Sequence, residues 1–437
     1  MRRSRSIQQP VAGRRFSDQA HRLPTSTRLL VGGLASIITL LLAGCGSATA
    51  TRTATPAESA RASSATTAPA DCASTVASTI GQVGERIYHE ASTGGNVAQA
   101  VHRVQSSTAL ASAIRGASAN GARAALQALL LNQIVRVEVL SGGHVLAAAG
   151  SGAAMAPVSG SIPGTSATFI LSVQADHTYL EVAQQVTGAQ ILLLGGTRRL
   201  DGTIAGPPPA SLPISGPASV AGQSFQVFSL NGAVYPSGPL RVAMLVPSAA
   251  LSCPGSAAQA RVETMGHVGE RIYQEELHSE NVSATVRHIE NSASFQHAVA
   301  AADPVATRAA IVSFFGQHIH VVRVRVTIGN RLLEDLGGPF VLAPVHGTVR
   351  SNGRVIGHFE MAIQDDAGYL KLAHLFTGAD VLMRTGGRQV MGTLSPGPAD
   401  IPARGEVSYA GKTYEAYSFT GEAFPAGPLR LSLLLPV

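Results

Sequence analysis

The chain contains no tryptophan, and phenylalanine and tyrosine together make up only 5% of its 437 residues. Ligand stacking on an indole is thereby excluded, and the cores must be built from Val, Leu, Ile and Ala within a hydrophobic fraction of 45%. Enzyme signatures are also missing: there is no Gly-x-Ser-x-Gly elbow, no Gly-rich phosphate loop, no His-Glu-x-x-His and no paired acids with partners. The expectation is a non-catalytic protein with no cofactor. A net basic charge is absent from most of the chain. Seven arginines (Arg2, Arg3, Arg5, Arg14, Arg15, Arg22 and Arg28) against Asp18 account for the whole net charge of +6, so everything after residue 28 sums to zero. A nucleic-acid partner is not expected of such a balance.

The basic segment leads into the apolar run Leu29 to Leu42, and then into Leu42-Ala43-Gly44-Cys45. This is the layout of an export signal. It resembles a bacterial lipoprotein signal peptide, with Leu42-Ala43-Gly44-Cys45 matching the lipobox. The resemblance implies cleavage after residue 44 and a lipid on the Cys45 thiol. An uncleaved transmembrane anchor is the alternative, although the apolar run falls short of the roughly 20 residues a span needs. Arg14-Arg15-Phe16 loosely resembles a twin-arginine export signal. Either anchor places the remainder outside the cytoplasm, at the membrane's outer face.

Residues 45–71 are almost entirely Ala, Thr, Ser, Pro and Gly, with too little apolar surface to offset the entropy of ordering, and read as a tether. With Cys45 lipidated, Cys72 and Cys253 are left as an even pair in an oxidising compartment. A disulfide between them closes a long loop, for which chain entropy gives about 5 kcal/mol. Two buried thiols are the other reading.

Beyond the tether the sequence repeats itself in order. Val83-Gly84-Glu85-Arg86-Ile87-Tyr88 returns as Val268-Gly269-Glu270-Arg271-Ile272-Tyr273, an offset of 185. Val135-Arg136-Val137 returns as Val322-Arg323-Val324, Thr187-Gly188-Ala189 as Thr377-Gly378-Ala379, and Gly238-Pro239-Leu240-Arg241 as Gly427-Pro428-Leu429-Arg430. Offsets that drift by a few residues are those of duplicated domains with loop insertions, giving repeat 1 as residues 72–252 and repeat 2 as 253–437. In repeat 2, apolar residues recur at helical spacing over 264–302, and Asp303-Pro304 starts a further helix ending near Phe315. Val322, Val324 and Val326 alternate with Arg323, Arg325 and Thr327; Gly329-Asn330 turns the chain, and Arg331 to Leu336 returns as a hairpin. A third strand over 354–364, a short helix over 369–377 and three more strands complete an α+β unit. Its helices pack on a five- or six-stranded, mostly antiparallel sheet.

The hairpin stretches Ile134 to Gly150 and Val321 to Gly338, within this order of elements, resemble the extracellular Cache sensor domains, relatives of the PAS fold. The usual double-Cache domain shares one long helix between its modules; here each repeat has its own, which departs from that pattern and suggests two single modules in tandem. The resemblance implies a small-molecule ligand between sheet and covering loops, and signalling to, or delivery through, a separate membrane-bound partner, since no second span is expected after repeat 2. The aromatic-rich motif with which some of these sensors grip amino acids has no match, so no ligand identity follows.

Candidate ligand residues come from the polar faces of these elements. Arg323 and Arg325 share one strand face, where a guanidinium fork suits a carboxylate or phosphate; Arg136 is the counterpart of Arg323, and Glu138 replaces Arg325. Solvent exposure or a structural ion pair is the alternative. Gln174, Asp176 and Tyr179 correspond to Gln364, Asp366 and Tyr369, at the start of the short helix, as pocket-rim donors or as a helix cap. Asp365 adds an acid only in repeat 2. His318 and His320 share a strand face, but no third ligand is at recognisable spacing, and no metal is expected. Glu85 and Glu270, each beside an arginine in the duplicated motif, read as surface or helix-packing residues. Repeat 1 carries 6 acidic and 8 basic side chains against 17 and 15 in repeat 2, which favours repeat 2 as the active module. The competing expectation is an adaptor whose repeats present a protein-binding surface with no pocket.

Overall fold

The computed structural model describes residues 70–130, 134–206, 209, 211–235, 238–251, 255–316, 321–425 and 427–437. The expected signal segment with Cys45, the expected tether up to residue 69, Cys253, and the His318 and His320 pair lie outside these residues.

Helix α1 (Ala70–Thr93) buries Val76, Ile80, Val83 and Ile87 on one face, a spacing of three and four residues. Three shorter helices follow: α2 (Gly95–Ser106), α3 (Thr108–Arg115) and α4 (Ala119–Leu130). Strands β1 (Arg136–Ser141), β2 (His144–Gly150), β3 (Ala154–Met155), β4 (Val158–Ser161), β5 (Thr168–Ser172) and β6 (Gln174–Ala175) come next. Helix α5 (Asp176–Thr187) then precedes β7 (Gln190–Gly195), β8 (Arg198–Gly202), β9 (Ser215–Val220), β10 (Gln223–Tyr235) and β11 (Gly238–Pro247).

The second half repeats this order. Helix α6 (Ala257–His278) starts at a capping box in which Ser256 and Gln259 satisfy each other's backbone N–H groups. The helical spacing over 264–302 resolves into α6, α7 (Glu280–Glu290) and α8 (Ala293–Ala300), because Ser279 and Ser292 take the free N–H groups of Val282 and Phe295 and start a new helix each time. Helix α9 (Pro304–Gly316) is capped as expected, the Asp303 Oδ1 accepting from Val305 and Ala306 N–H at 2.9 and 3.1 Å. After it come β12 (Arg323–Ile328), β13 (Arg331–Gly337), β14 (Val345–Ser351), β15 (Arg354–Ala362), α10 (Asp366–Thr377), β16 (Asp380–Thr385), β17 (Arg388–Gly392), β18 (Arg404–Tyr409), β19 (Lys412–Glu422) and β20 (Pro428–Pro436).

The chain is α+β, and every named strand pair is antiparallel. Within each half the strands divide between two sheets. An outer four-stranded sheet has the order β2-β1-β5-β4 in the first half and β13-β12-β15-β14 in the second. An inner sheet runs β6-β3-β10-β11-β7-β8, with β9 on β10, and its counterpart runs β17-β16-β20-β19-β18. The short helices cover the outer sheets over two separate cores, one around Leu110, Leu126, Val137 and Phe169, the other around Phe295, Phe314, Val324 and Phe359.

The inner sheets and the long helices share a third core that draws on both halves, from Val83 and Met244 to Val268 and Leu433. The duplicated Gly-Glu-Arg-Ile-Tyr motif builds it. Gly84 and Gly269 let the inner sheet come close, since a Cβ at Gly84 would lie 2.2 Å from the Met244 sulfur. The Tyr88 and Tyr273 hydroxyls accept the N–H of Ala233 and Glu422 at 2.7 and 2.8 Å, their rings lying over Gly232 and Gly421. The arginines cross to the other half. Arg86 Nη1 donates to Phe376 O at 3.0 Å, and Arg271 Nη1 donates to Thr187 O at 2.6 Å, so each long helix caps the C-terminal end of the other half's short helix. Reciprocal contacts of this kind are those of a two-fold dimer, here within one chain. Among the described residues no helix is long and apolar enough to cross a membrane.

Candidate functional site

The hairpin arginines stand where the outer sheet meets the inner one. Arg323 opens β12, where alternation turns Val324 and Val326 into the helix-covered core and leaves Arg323 and Arg325 on the opposite face. The Arg323 fork is engaged by Asp335 of β13, with Nε to Oδ1 at 3.0 Å and Nη2 to Oδ2 at 2.8 Å. Its Nη1 donates to Phe340 O at 2.7 Å, and its guanidinium lies 4.5 Å from the centre of the Phe424 ring, in the connection between β19 and β20 of the inner sheet. Arg325 approaches the same carboxylate at 3.9 Å. Arg136 repeats the arrangement. It donates to Gly152 O at 2.8 Å, reaches Glu138 at 3.4 Å and lies 4.6 Å from the Tyr235 ring centre.

Aspartates close the other side of the same loop. Asp366, almost wholly buried, accepts from the backbone N–H of Val341 and Leu342, each at 3.0 Å. Burial raises its pKa, and those two hydrogen bonds oppose the rise. Asp366 is therefore a loop anchor, whereas the helix cap expected at this position is Asp365, whose carboxylate accepts from Gly368 N. In the first half neither role is filled by Asp176: Ala175 stands at the cap position, and Asp176 accepts from His177 N at 2.8 Å.

Tyr179 and Tyr369 point away from this loop. Both are fully buried, and their hydroxyls donate to Gly84 O and Gly269 O of the long helices at 3.1 and 3.0 Å. Burial drives both phenols above their ordinary pKa, so they act as neutral donors. Gln174 donates to Ala175 O at 3.3 Å, while the Gln364 Nε2 is buried with no hydrogen-bond partner among the described residues.

The sequence-predicted residues thus fall into two groups. Arg323 and Asp366 converge on the loop 338–342, with Arg325 beside Arg323 at Asp335; the tyrosines fasten the short helix to the long one. Chemically the first group is a strap holding the outer sheet to the inner one. Removing the fork by Arg323→Ala leaves Asp335 half-buried beside Arg325 alone, and is expected to cost about 2 kcal/mol in denaturant unfolding. An unchanged unfolding midpoint would show that the strap bears no load.

Asp335, Phe340 and Phe424 were not singled out by sequence. Asp335 is signalled only by its place opposite Arg325 in the hairpin register, and Phe424 by nothing local. Among the described residues no three His, Cys, Asp or Glu side chains are grouped to hold a metal ion.

No protein-family model matches the chain, and no curated protein matches it. Two solved structures are similar in part. The periplasmic domain of LuxQ from Vibrio cholerae aligns over 40% of this chain and 100% of its own, at 10% identity and a TM-score of 0.29. An extracellular ligand-binding receptor from Desulfohalobium retbaense aligns over 51% of this chain and 47% of its own, at 10% identity and a TM-score of 0.27.

Proposed function

We propose that the protein is an extracytoplasmic, lipid-anchored and non-catalytic binding protein that recognises a small solute and acts through a separate membrane partner. One observation carries the location: Cys72, in the first turns of α1 and directly after the tether, is disulfide-bonded. A disulfide persists in an oxidising compartment, which agrees with the basic segment, apolar run and Cys45 that precede it. Cys253 is its proposed partner, tying the start of repeat 1 to the start of repeat 2. A two-repeat body set beyond a tether of this composition is suited to working clear of the bilayer.

An adaptor is the second reading, favoured by the site geometry. Arg136, Arg323, Asp366, Tyr179 and Tyr369 all have partners within the fold, so the positions that a module of this type offers to a ligand are occupied here by structure.

Two measurements test these readings. Replacing Cys45→Ser is expected to move the protein from the membrane fraction to the soluble exported fraction; retention in the membrane would mean an uncleaved span instead. Thermal unfolding of that soluble variant against amines, carboxylates, amino acids, purines and sugars is expected to show a raised Tm with at least one class. No stabilisation by any of them, with capture of one defined membrane protein, would replace the binding reading by the adaptor.

A further inference from the structure

A cavity of about 290 Å³ opens at the seam between the halves, bounded by Thr75 of α1 on one side and by Ala257, Ala258 and Arg261 of α6 with Glu415 of β19 on the other. Leu435, Pro436 and Val437, at the end of β20 and just beyond it, complete the wall with mostly apolar surface. Glu415 is the anomaly. It is 6% exposed, and its Oε2 is buried without a hydrogen-bond partner among the described residues. Directly opposite it in the strand register stands a second carboxylate, Glu406 of β18. Like charges at a directly opposed pair are destabilising, and a buried carboxylate with an unmet acceptor costs more still. Burial, then Glu406, push the Glu415 carboxyl above its ordinary pKa. Arg261 is the cationic side chain of the cavity wall, but it is exposed and forms no ion pair with Glu415 within 4.0 Å among the described residues.

We propose that this seam cavity binds a small organic cation, a primary ammonium on a short apolar body, with the ammonium on Glu415. An ammonium supplies donors to the unmet Oε2 and offsets the Glu415–Glu406 repulsion, in a charge-assisted bond stronger than one from a neutral donor. The apolar body lies along Ala257, Ala258, Leu435 and Pro436. The volume sits at the lower end of ligand sites, which excludes bulky solutes. Arg261, solvated at the mouth, disfavours a second positive charge and so selects monoamines over diamines. Because the wall takes residues from both halves, occupancy binds them to each other. This inference deepens the binding reading above by giving it a site and a ligand class.

The probe is n-butylammonium, titrated calorimetrically into the full chain carrying Cys45→Ser, with butyrate and 1-butanol as controls. Saturable binding of the amine is expected, with little from either control. Glu415→Gln is expected to weaken it by at least about tenfold, and Ala258→Leu, which fills the cavity without touching the charge, to weaken it as well. Arg261→Ala is expected to leave affinity equal or higher. Failure of butylammonium to bind, binding indifferent to both Glu415→Gln and Ala258→Leu, or butyrate binding equally well would each overturn the site. Should Glu415→Gln not fold, Ala258→Leu decides. Failure of butylammonium together with a raised Tm from a solute of another class would remove this site and leave the binding reading standing; no response to any solute would remove both.

Discussion

Glu276→Gln is expected to abolish a fall in stability that the wild-type protein shows between about pH 4.5 and pH 8. Glu276 lies in the last turns of α6, 6% exposed, and both charges that act on it, Glu275 and Asp365, are negative. Burial first, then those carboxylates, push its pKa up to about 8. In the unfolded chain a glutamate titrates near 4.3. Below that value both states hold the proton and the residue costs nothing. Between the two values the folded state keeps a proton the unfolded state has lost, so stability declines by about 1.4 kcal/mol for each pH unit as pH rises. Above about 8 both states are ionised and the curve levels, with the full penalty present. Glutamine keeps the shape and cannot ionise. Guanidinium unfolding at one-unit pH steps should therefore give curves for the two proteins that coincide near pH 4 and separate by several kcal/mol at pH 8. Curves that stay parallel across that range would mean that Glu276 ionises as freely folded as unfolded. The position gives the effect a route to the site: Asp365 caps α10 and Asp366 holds the loop 338–342, so a charge on Glu276 loads the end of the same strap.

What could be read in advance follows how local each signal is. Duplication, the helices and the β12–β13 hairpin were legible because they depend on spacing, on Asp303-Pro304 and on Gly329-Asn330. The division into two sheets was not. An apolar alternation says that a stretch is a strand but not which strand it pairs with, and the cores that separate the sheets are assembled from residues far apart in sequence. Strands β14, β17 and β18 escaped notice because edge strands carry few buried side chains; Arg388 to Gly392 has none. The site shows the same limit. The alternation of β12 separated Arg323 from the core, yet its partners lie 12 and 17 residues on, and in the distant β19–β20 connection at Phe424. Tyr369 meets Gly269 from 100 residues away. Glu415, within the alternating run Thr413 to Phe419, has the pattern of an outward residue; only the neighbouring helix α6 of the seam makes it a buried one.

Loss of the reciprocal arginines should be the most damaging change away from the cores. Each guanidinium donates to a carbonyl at the C-terminal end of a helix, where cationic charge is favoured by the macrodipole and an unmet carbonyl is costly when half-buried. Both helices end on a left-handed glycine, Gly188 and Gly378, and a Cβ on either would lie 2.7 Å from the crossing arginine's Nη2, so the caps are fitted to each other. The two sites are not equal. Arg271 is assisted by Glu270, whereas Arg86 is opposed by Arg261 and only partly helped by Glu85. Arg271→Ala is therefore expected to cost about 2–3 kcal/mol and Arg86→Ala about 1–2 kcal/mol. Because each arginine serves a different helix end, the double variant should lose close to the sum. Unfolding should stay a single transition, since one core still spans both halves. Lysine at either position should restore less than half of the loss, as a point charge without the planar fork. A double variant no less stable than Arg271→Ala alone would show that Arg86 is a bystander. The two halves would then be held by their shared core, and the symmetry of the clasp would be a relic of duplication without a present role.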